Sequence, residues 1–273
     1  MPEDIYYRVT GTAGDLPDLV FVHGFLCDHR DWDLLVTRLS DRFRCIVLDL
    51  PGHGNSTDPH ASMMNAGKTV NAVRRAAGSH SAILIGHSLG TKIIREAYRQ
   101  DPQGICGQVL IDGSLYVSDR ETMLKNAHAA IANGIDAFRS ALFGRMFTDR
   151  TTPEQRTFLL DRAHSVDPDF ARAFFLDSVD WDTRFALTTL DMLDVPGLVI
   201  QATTFDSQFR WRSLPPGGST DLIDAMRDRL EDFELVVIPD TGHFVMTEEP
   251  ESTAAAIARF VERIGTPART TTT

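Results

Sequence analysis

The stretch Gly86-His87-Ser88-Leu89-Gly90 decides the fold of this chain. The four residues before it, Ala82-Ile83-Leu84-Ile85, are apolar and partly β-branched, as in a buried parallel strand. Residues 91–99 after it have the pattern of a helix with one apolar side. The pentapeptide therefore lies where a strand turns sharply into a helix, the context in which G-x-S-x-G marks a nucleophilic serine.

Ser88 is accordingly the candidate nucleophile. A sharp strand-to-helix turn strains the serine backbone and lifts its hydroxyl clear of the sheet. The backbone N–H of Leu89 lies at the start of the helix, where it can donate to an oxyanion with the helix dipole behind it. The alternative is a serine in an ordinary glycine-rich turn. The consecutive strand, pentapeptide and helix favour the nucleophile instead.

The length, composition and net charge of the chain restrict the classes of partner that it can bind. Its 273 residues are enough for one large α/β domain or two smaller ones, and 42% of them are hydrophobic. The formal net charge of −11 argues against a nucleic-acid backbone or an anionic membrane surface as a partner. We therefore expect a small-molecule partner, no nucleic acid and no membrane, and we leave a homodimer open.

The cysteines and the amino-terminal residues indicate a compartment. Cys27, Cys45 and Cys106 are odd in number and widely spaced, so they suggest neither a zinc site nor a disulfide framework. No metal and no cofactor is expected. The acidic start Met1-Pro2-Glu3-Asp4 is not followed by an apolar segment of a secretory signal, and no run is long enough to span a bilayer. These features predict a cytoplasmic protein.

A second motif follows the strand Leu19-Val20-Phe21-Val22, which ends in His23-Gly24-Phe25. An H-G-[FW] turn after an apolar strand, with G-x-S-x-G further on, resembles the α/β-hydrolase superfamily. The resemblance implies an α/β fold: a mostly parallel central sheet with helices on both faces and a helical lid inserted after the sixth strand. It also implies that the N–H groups of Phe25 and Leu89 form the oxyanion hole and that His23 orients the loop.

The predicted secondary structure changes after the strand 108–111. From about Ser118 to Arg184 the patterns are helical and rich in phenylalanine, without a convincing strand. We therefore predict a first part of the α/β core over 1–117, a helical lid over 118–185 and a second part of the core over 186–273. A helical lid above the serine gives an apolar, water-poor pocket, which favours a hydrophobic or aromatic substrate.

A histidine follows the last predicted strand, Phe233–Ile238, in the turn Gly242-His243-Phe244. In the superfamily a G-H-[FW] turn at this place carries the catalytic histidine. The order of His243 after Ser88 and its place at a strand end favour this role over a structural one.

The acid that orients the histidine has two candidates. The superfamily usually places it in a G-x-x-D turn a few residues past the strand 198–201, where this chain has Ala202-Thr203-Thr204-Phe205 and then Asp206. Asp112 lies immediately past the preceding strand, where some members of the superfamily place their acid. Because the expected turn is absent, Asp112 is the first choice and Asp206 the alternative.

Three functions are compatible with these residues. The first is a serine hydrolase of esters, lactones, other acyl bonds or carbon–carbon bonds next to a carbonyl. The second is a cofactor-free ring-cleaving dioxygenase, because Cys27-Asp28-His29-Arg30 is similar to a segment of the quinaldine dioxygenases. The third is a slow or non-catalytic ligand receptor on the same fold. The ordinary residues around Ser88 favour hydrolysis.

Overall fold

A central sheet organises the chain in the computed structural model, which describes residues 4–205 and 211–265. The strands within these ranges are β1 (Tyr7–Thr10), β2 (Asp18–Val22), β3 (Cys45–Leu48), β4 (Ala82–His87), β5 (Ile105–Ile111), β6 (Gly197–Gln201), β7 (Thr203–Phe205), β8 (Trp211–Ser213) and β9 (Phe233–Val237). Seven of them form one sheet in the order β1-β3-β2-β4-β5-β6-β9. Only β1 in that sheet runs antiparallel to its neighbour.

Helices cover both faces of this sheet, as parallel strands require. The described helices are α1 (Asp33–Leu39), α2 (Met63–Ala76), α3 (Gly90–Gln100), α4 (Arg120–Ala130), α5 (Ile135–Met146), α6 (Pro153–Ser165), α7 (Pro168–Phe185), α8 (Thr188–Asp191), α9 (Asp221–Arg229), α10 (Val245–Glu248) and α11 (Pro250–Gly265). α1 packs against α11, and α2 packs against α3. The predicted mostly parallel α/β fold is confirmed.

Close packing fixes the turn between β4 and α3. A side-chain carbon on Gly86 would lie 2.4 Å from the carbonyl oxygen of Gly90, and one on Gly90 would lie 2.2 Å from that of Val22. Both distances are far below a van der Waals contact, so only glycine fits at these two positions. The two glycines let the helix start directly against the strands.

Five helices, α4 to α8, separate β5 from β6, and we call residues 120–185, which contain α4 to α7, the helical insertion. Thr152 and Asp167 cap α6 and α7, with Pro153 and Pro168 in the first turn. One count needs correction. The insertion follows β5, the fifth described strand in chain order, rather than the sixth. The division at residues 117 and 185 stays a prediction.

A short hairpin beyond β6 was not predicted. β7 pairs antiparallel with β8, and Thr203 lies opposite Ser213. The hairpin occupies the place where the superfamily usually has a G-x-x-D turn. It starts at the carboxyl end of β6, so its first residues lie at the same edge of the sheet as the ends of β4 and β5.

Candidate active site

Ser88 lies at the end of β4 in a strained conformation. Its φ is +52°, a left-handed value that a non-glycine residue rarely adopts. The N–H of Ser88 donates to the carbonyl of Ile111 at the end of β5, at 3.0 Å. This turn has the geometry expected of a nucleophile elbow, in which the hydroxyl stands above the sheet edge.

His243 and Asp112 meet at this edge. Nδ1 of His243 lies 2.7 Å from Oδ2 of Asp112, and both residues are only 2% exposed. A carboxylate only accepts hydrogen bonds, so Nδ1 carries the proton and Nε2 keeps a lone pair. The ring is thereby held in the tautomer that can take a proton at Nε2. The contact expected between these two residues is present.

The Asp112 carboxylate is fully hydrogen-bonded. Its Oδ1 accepts from the backbone N–H groups of Ala202 and Thr203, each at 2.8 Å. Its Oδ2 accepts from the Thr203 hydroxyl at 2.6 Å, in addition to His243. The segment after β6 therefore holds the carboxylate that β5 supplies. Asp206, the alternative acid, lies outside the described residues.

The backbone N–H groups of Phe25 and Leu89 are the donors that the sequence predicts for an oxyanion site. Phe25 and Leu89 line the same cavity as Ser88 and His243. Neither N–H has an acceptor among the residues that the structure describes. Leu89 caps α3, so its N–H is one of the free donors at the helix start.

The cavity above Ser88 has a volume of about 650 Å³. Side chains of the helical insertion form much of its wall, including Phe138, Phe143 and Phe175. Phe170 and Phe174 instead pack against the ring of His53, with ring centroids 5.6 and 5.7 Å away. These five phenylalanines of the insertion therefore divide between the cavity and the core.

The sequence of this chain matches a known protein family. The model described as the alpha/beta hydrolase family matches residues 19–256. The chain belongs to the alpha/beta hydrolase family. This confirms the resemblance inferred from the two glycine motifs, and the relatives of this α/β hydrolase are named as enzymes.

Two relatives match this α/β hydrolase over nearly their whole length. The 2-(acetamidomethylene)succinate hydrolase of Mesorhizobium japonicum is 28% identical and covers 91% of this chain and 89% of its own. The 2-succinyl-6-hydroxy-2,4-cyclohexadiene-1-carboxylate synthase of an Enterobacter species is 26% identical and covers 90% and 92%. In fold, a thermophilic esterase from Thermogutta terrifontis superposes with a TM-score of 0.77 at 24% identity, covering 96% and 94% of the two chains.

Three other buried histidines of this α/β hydrolase bind backbone groups. Nδ1 of His23 donates to the carbonyl of Gly24, and Nδ1 of His53 donates to that of Pro51, both at 2.8 Å. Nε2 of His87 donates to the carbonyl of His243 at 2.9 Å. Burial lowers the pKa of all three imidazoles, in His53 to about 3. They are neutral at physiological pH, and His23 has the structural place that the resemblance implied.

One group of three side chains within the described ranges has the spacing of metal ligands. Asp28, His29 and Asp49 each place one ligand atom within 4.8 Å of the others. Their oxygens, however, already accept from protein donors: Asp28 from Arg30, and Asp49 from His29 and from the N–H of Asn55. The group therefore anchors two loops.

The segment that resembles quinaldine dioxygenases takes little part in the cavity. Of residues 27–30, Cys27 alone is among the lining residues. Burial raises the pKa of its thiol well above the usual value, with Asp31 adding to the effect, so the thiol is protonated. Asp28 and His29 instead belong to the group that anchors the two loops.

Sequence reasoning missed several residues of the site. The ring of Trp211 lies 4.1 Å from that of His243, and Thr203 bonds Asp112. Lys92 and Asp182 form an ion pair in the cavity wall. Lys92 had no distinctive signal in the sequence, because its helical stretch also contains the charged residues Arg95, Glu96 and Arg99. Asp182 had none either.

No helix in the described part of the chain is both long enough and apolar enough to cross a membrane.

Proposed function

We propose that this α/β hydrolase is a serine hydrolase of a small hydrophobic or aromatic metabolite. It cleaves an ester, a lactone or another acyl bond, including a carbon–carbon bond next to a carbonyl. The observation that carries the proposal is the 2.7 Å contact between His243 Nδ1 and Asp112 beside the strained Ser88. The relative from Mesorhizobium that is named a hydrolase supports the reaction class.

In the first half of the reaction, the hydroxyl oxygen of Ser88 attacks the substrate carbonyl carbon while its proton passes to Nε2 of His243. The N–H groups of Phe25 and Leu89 hold the oxyanion that forms on the carbonyl oxygen. Asp112 stabilises the imidazolium. His243 then returns the proton to the leaving group, and an acyl group remains on Ser88.

In the second half, water attacks the acyl group. Its proton goes to His243 Nε2, and the same oxyanion site holds the second tetrahedral intermediate. His243 then gives the proton back to Ser88, which leaves the free acid. The apolar wall of the cavity excludes bulk water and strengthens the electrostatic interactions inside it.

A panel of chromogenic acyl esters that vary in chain length and aromaticity tests the proposal. We expect turnover by the wild-type protein and a loss of activity on the order of a million-fold in Ser88→Ala. The loss is large because Ser88, His243 and Asp112 act together, and the substitution removes the nucleophile. Ser252→Ala on an exposed turn of α11 is the matched control and keeps full activity.

Two outcomes would replace the proposal. Most of the ester turnover surviving in Ser88→Ala would exclude a serine nucleophile. Oxygen uptake with a hydroxy-quinolone substrate, without ester turnover, would favour the dioxygenase, and saturable binding with neither reaction would favour a receptor.

A further inference from the structure

The cavity wall contains a buried ion pair next to the elbow. Lys92 lies in the first turn of α3, and its Nζ donates to Oδ2 of Asp182 on α7 at 2.5 Å. The side chains are only 9% and 4% exposed, and both line the cavity that contains Ser88. In a wall that is mostly apolar, these two charges are among the polar groups that can orient a ligand.

The carboxylate of this pair is shared with a second cation. Arg95, one turn further along α3, is completely buried and interacts electrostatically with Asp182. Burial lowers the pKa of Arg95 to about 10, so the guanidinium remains charged at neutral pH. The nearby Glu96 is already held by two hydrogen bonds from Arg99. Two cations therefore share the single charge of Asp182, and this cluster has an excess of one positive charge.

The ammonium of Lys92 has donors to spare. It carries three N–H groups, and its one hydrogen bond within the described residues goes to Asp182. Its other neighbour is the ring of Tyr116, whose centroid lies 5.5 Å from Nζ. Because Lys92 lines the cavity, a bound ligand can supply acceptors for the unused donors, and an anionic acceptor also cancels the excess charge.

We propose that Lys92 binds a carboxylate of the substrate while Ser88 attacks a carbonyl elsewhere in the same molecule. Substrate carboxylate, Lys92, Asp182 and Arg95 then form a chain of alternating charge. This inference rests on the proposed function for its reacting carbonyl, but the binding step is independent of turnover. A neutral oxygen would satisfy the N–H groups and leave the charge uncancelled, and an ammonium would be repelled.

The experiment measures binding in a Ser88→Ala background, so that no ligand is consumed. The anionic probes are the monoanilides of succinic, glutaric and adipic acid, and each is paired with the neutral probe in which an amide replaces the carboxylate. Titration calorimetry gives the dissociation constants. We expect at least one anion to bind roughly 10-fold to 100-fold more tightly than its amide, as a charge-assisted hydrogen bond implies.

Variants assign this preference to Lys92. Lys92→Met should reduce it to within about twofold, whereas Lys125→Met, at an exposed lysine of α4, should leave it unchanged. Because Lys92→Met leaves Asp182 without its partner, the double variant Lys92→Met/Asp182→Asn removes both charges and should show the same loss.

Other results overturn the inference. They are equal binding of every anion and its amide, binding of neither, or a preference that survives in both Lys92 variants. An anion preference in a protein without ester turnover would instead retain this site and remove the proposed hydrolysis.

Discussion

Two parts of the same sheet edge hold buried histidines in different ways. At the ends of β2 and β4, His23 and His87 donate to backbone carbonyls, at 2.8 and 2.9 Å. Past β9, His243 donates to the Asp112 carboxylate at 2.7 Å. The rings of His87 and His243 lie only 4.6 Å apart. Burial is therefore common to both parts, and the partner of the ring distinguishes them.

The difference teaches which imidazole can act as a base. A ring bonded to a backbone carbonyl has no counter-charge when it takes a proton, and burial then lowers its pKa, as in His87. A ring bonded to a carboxylate has that counter-charge in place. Asp112 can supply it because Thr203 and Ala202 satisfy its other acceptor positions.

The largest effect is expected from breaking this distinction. Asp112→Asn replaces the carboxylate by a neutral amide, so the pair no longer fixes the reactive tautomer of His243 and no longer stabilises the imidazolium. We expect kcat for the best ester to fall on the order of ten-thousand-fold. Circular dichroism of the variant should match that of the wild type.

The same substitution at Asp206 is the matched control, and we expect it to cost far less activity. A ten-thousand-fold loss in Asp206→Asn, with Asp112→Asn near wild-type activity, would reverse the assignment of the acid.

The next effect concerns the backbone-bonded histidines and the stability of the fold. The pKa of His53 is about 3 in the folded chain against an ordinary 6.5, so only the unfolded chain binds its proton between these values. Its contribution to stability is complete above the ordinary value and falls as the pH drops toward 3. We expect this residue alone to cost about 2 kcal/mol between pH 7 and pH 5.

Urea unfolding at a series of pH values measures this effect. His53→Gln should flatten the dependence of the unfolding free energy on pH, and His128→Gln, at an exposed position, should leave it unchanged. An identical slope in His53→Gln and the wild type would show that His53 does not stay neutral.

The smallest effect tests the support of Asp112. Thr203→Val removes the hydroxyl that donates to Oδ2 and keeps the backbone N–H. We expect kcat/KM to fall roughly tenfold, which corresponds to one lost hydrogen bond to a charged group. Thr203→Ser should restore activity, and Thr204→Val, one residue further on, should not change it. Full activity in Thr203→Val would show that the hydroxyl is dispensable.

Much of the fold followed from local patterns. Ala82–Ile85 before the pentapeptide and the helical pattern after it indicated the elbow because strand, glycines and helix are consecutive in the chain. The place of His243 could also be predicted from the sequence, since it follows a strand in a short glycine turn. Asp112 directly follows a predicted strand. In a parallel sheet the carboxyl end of that strand lies beside the elbow, so the position of Asp112 could be predicted too.

The remaining features depend on packing between distant segments. Asp182 lies 90 positions from Lys92, and no periodicity of α7 shows which of its acidic residues faces the cavity. The hairpin of β7 and β8 is three residues per strand, too short for a clear alternation. The support of Asp112 by Thr203 likewise appears only when the ends of β5 and β6 are side by side.

The central claim is that Asp112 and His243 together activate Ser88. The most direct measurement is the rate at which a fluorophosphonate probe labels the protein, with the adduct located by peptide mass spectrometry in the wild type, His243→Ala and Asp112→Asn. We expect rapid labelling at Ser88 in the wild type and almost none in either variant. An adduct at another residue, or equal labelling rates in all three proteins, would contradict it.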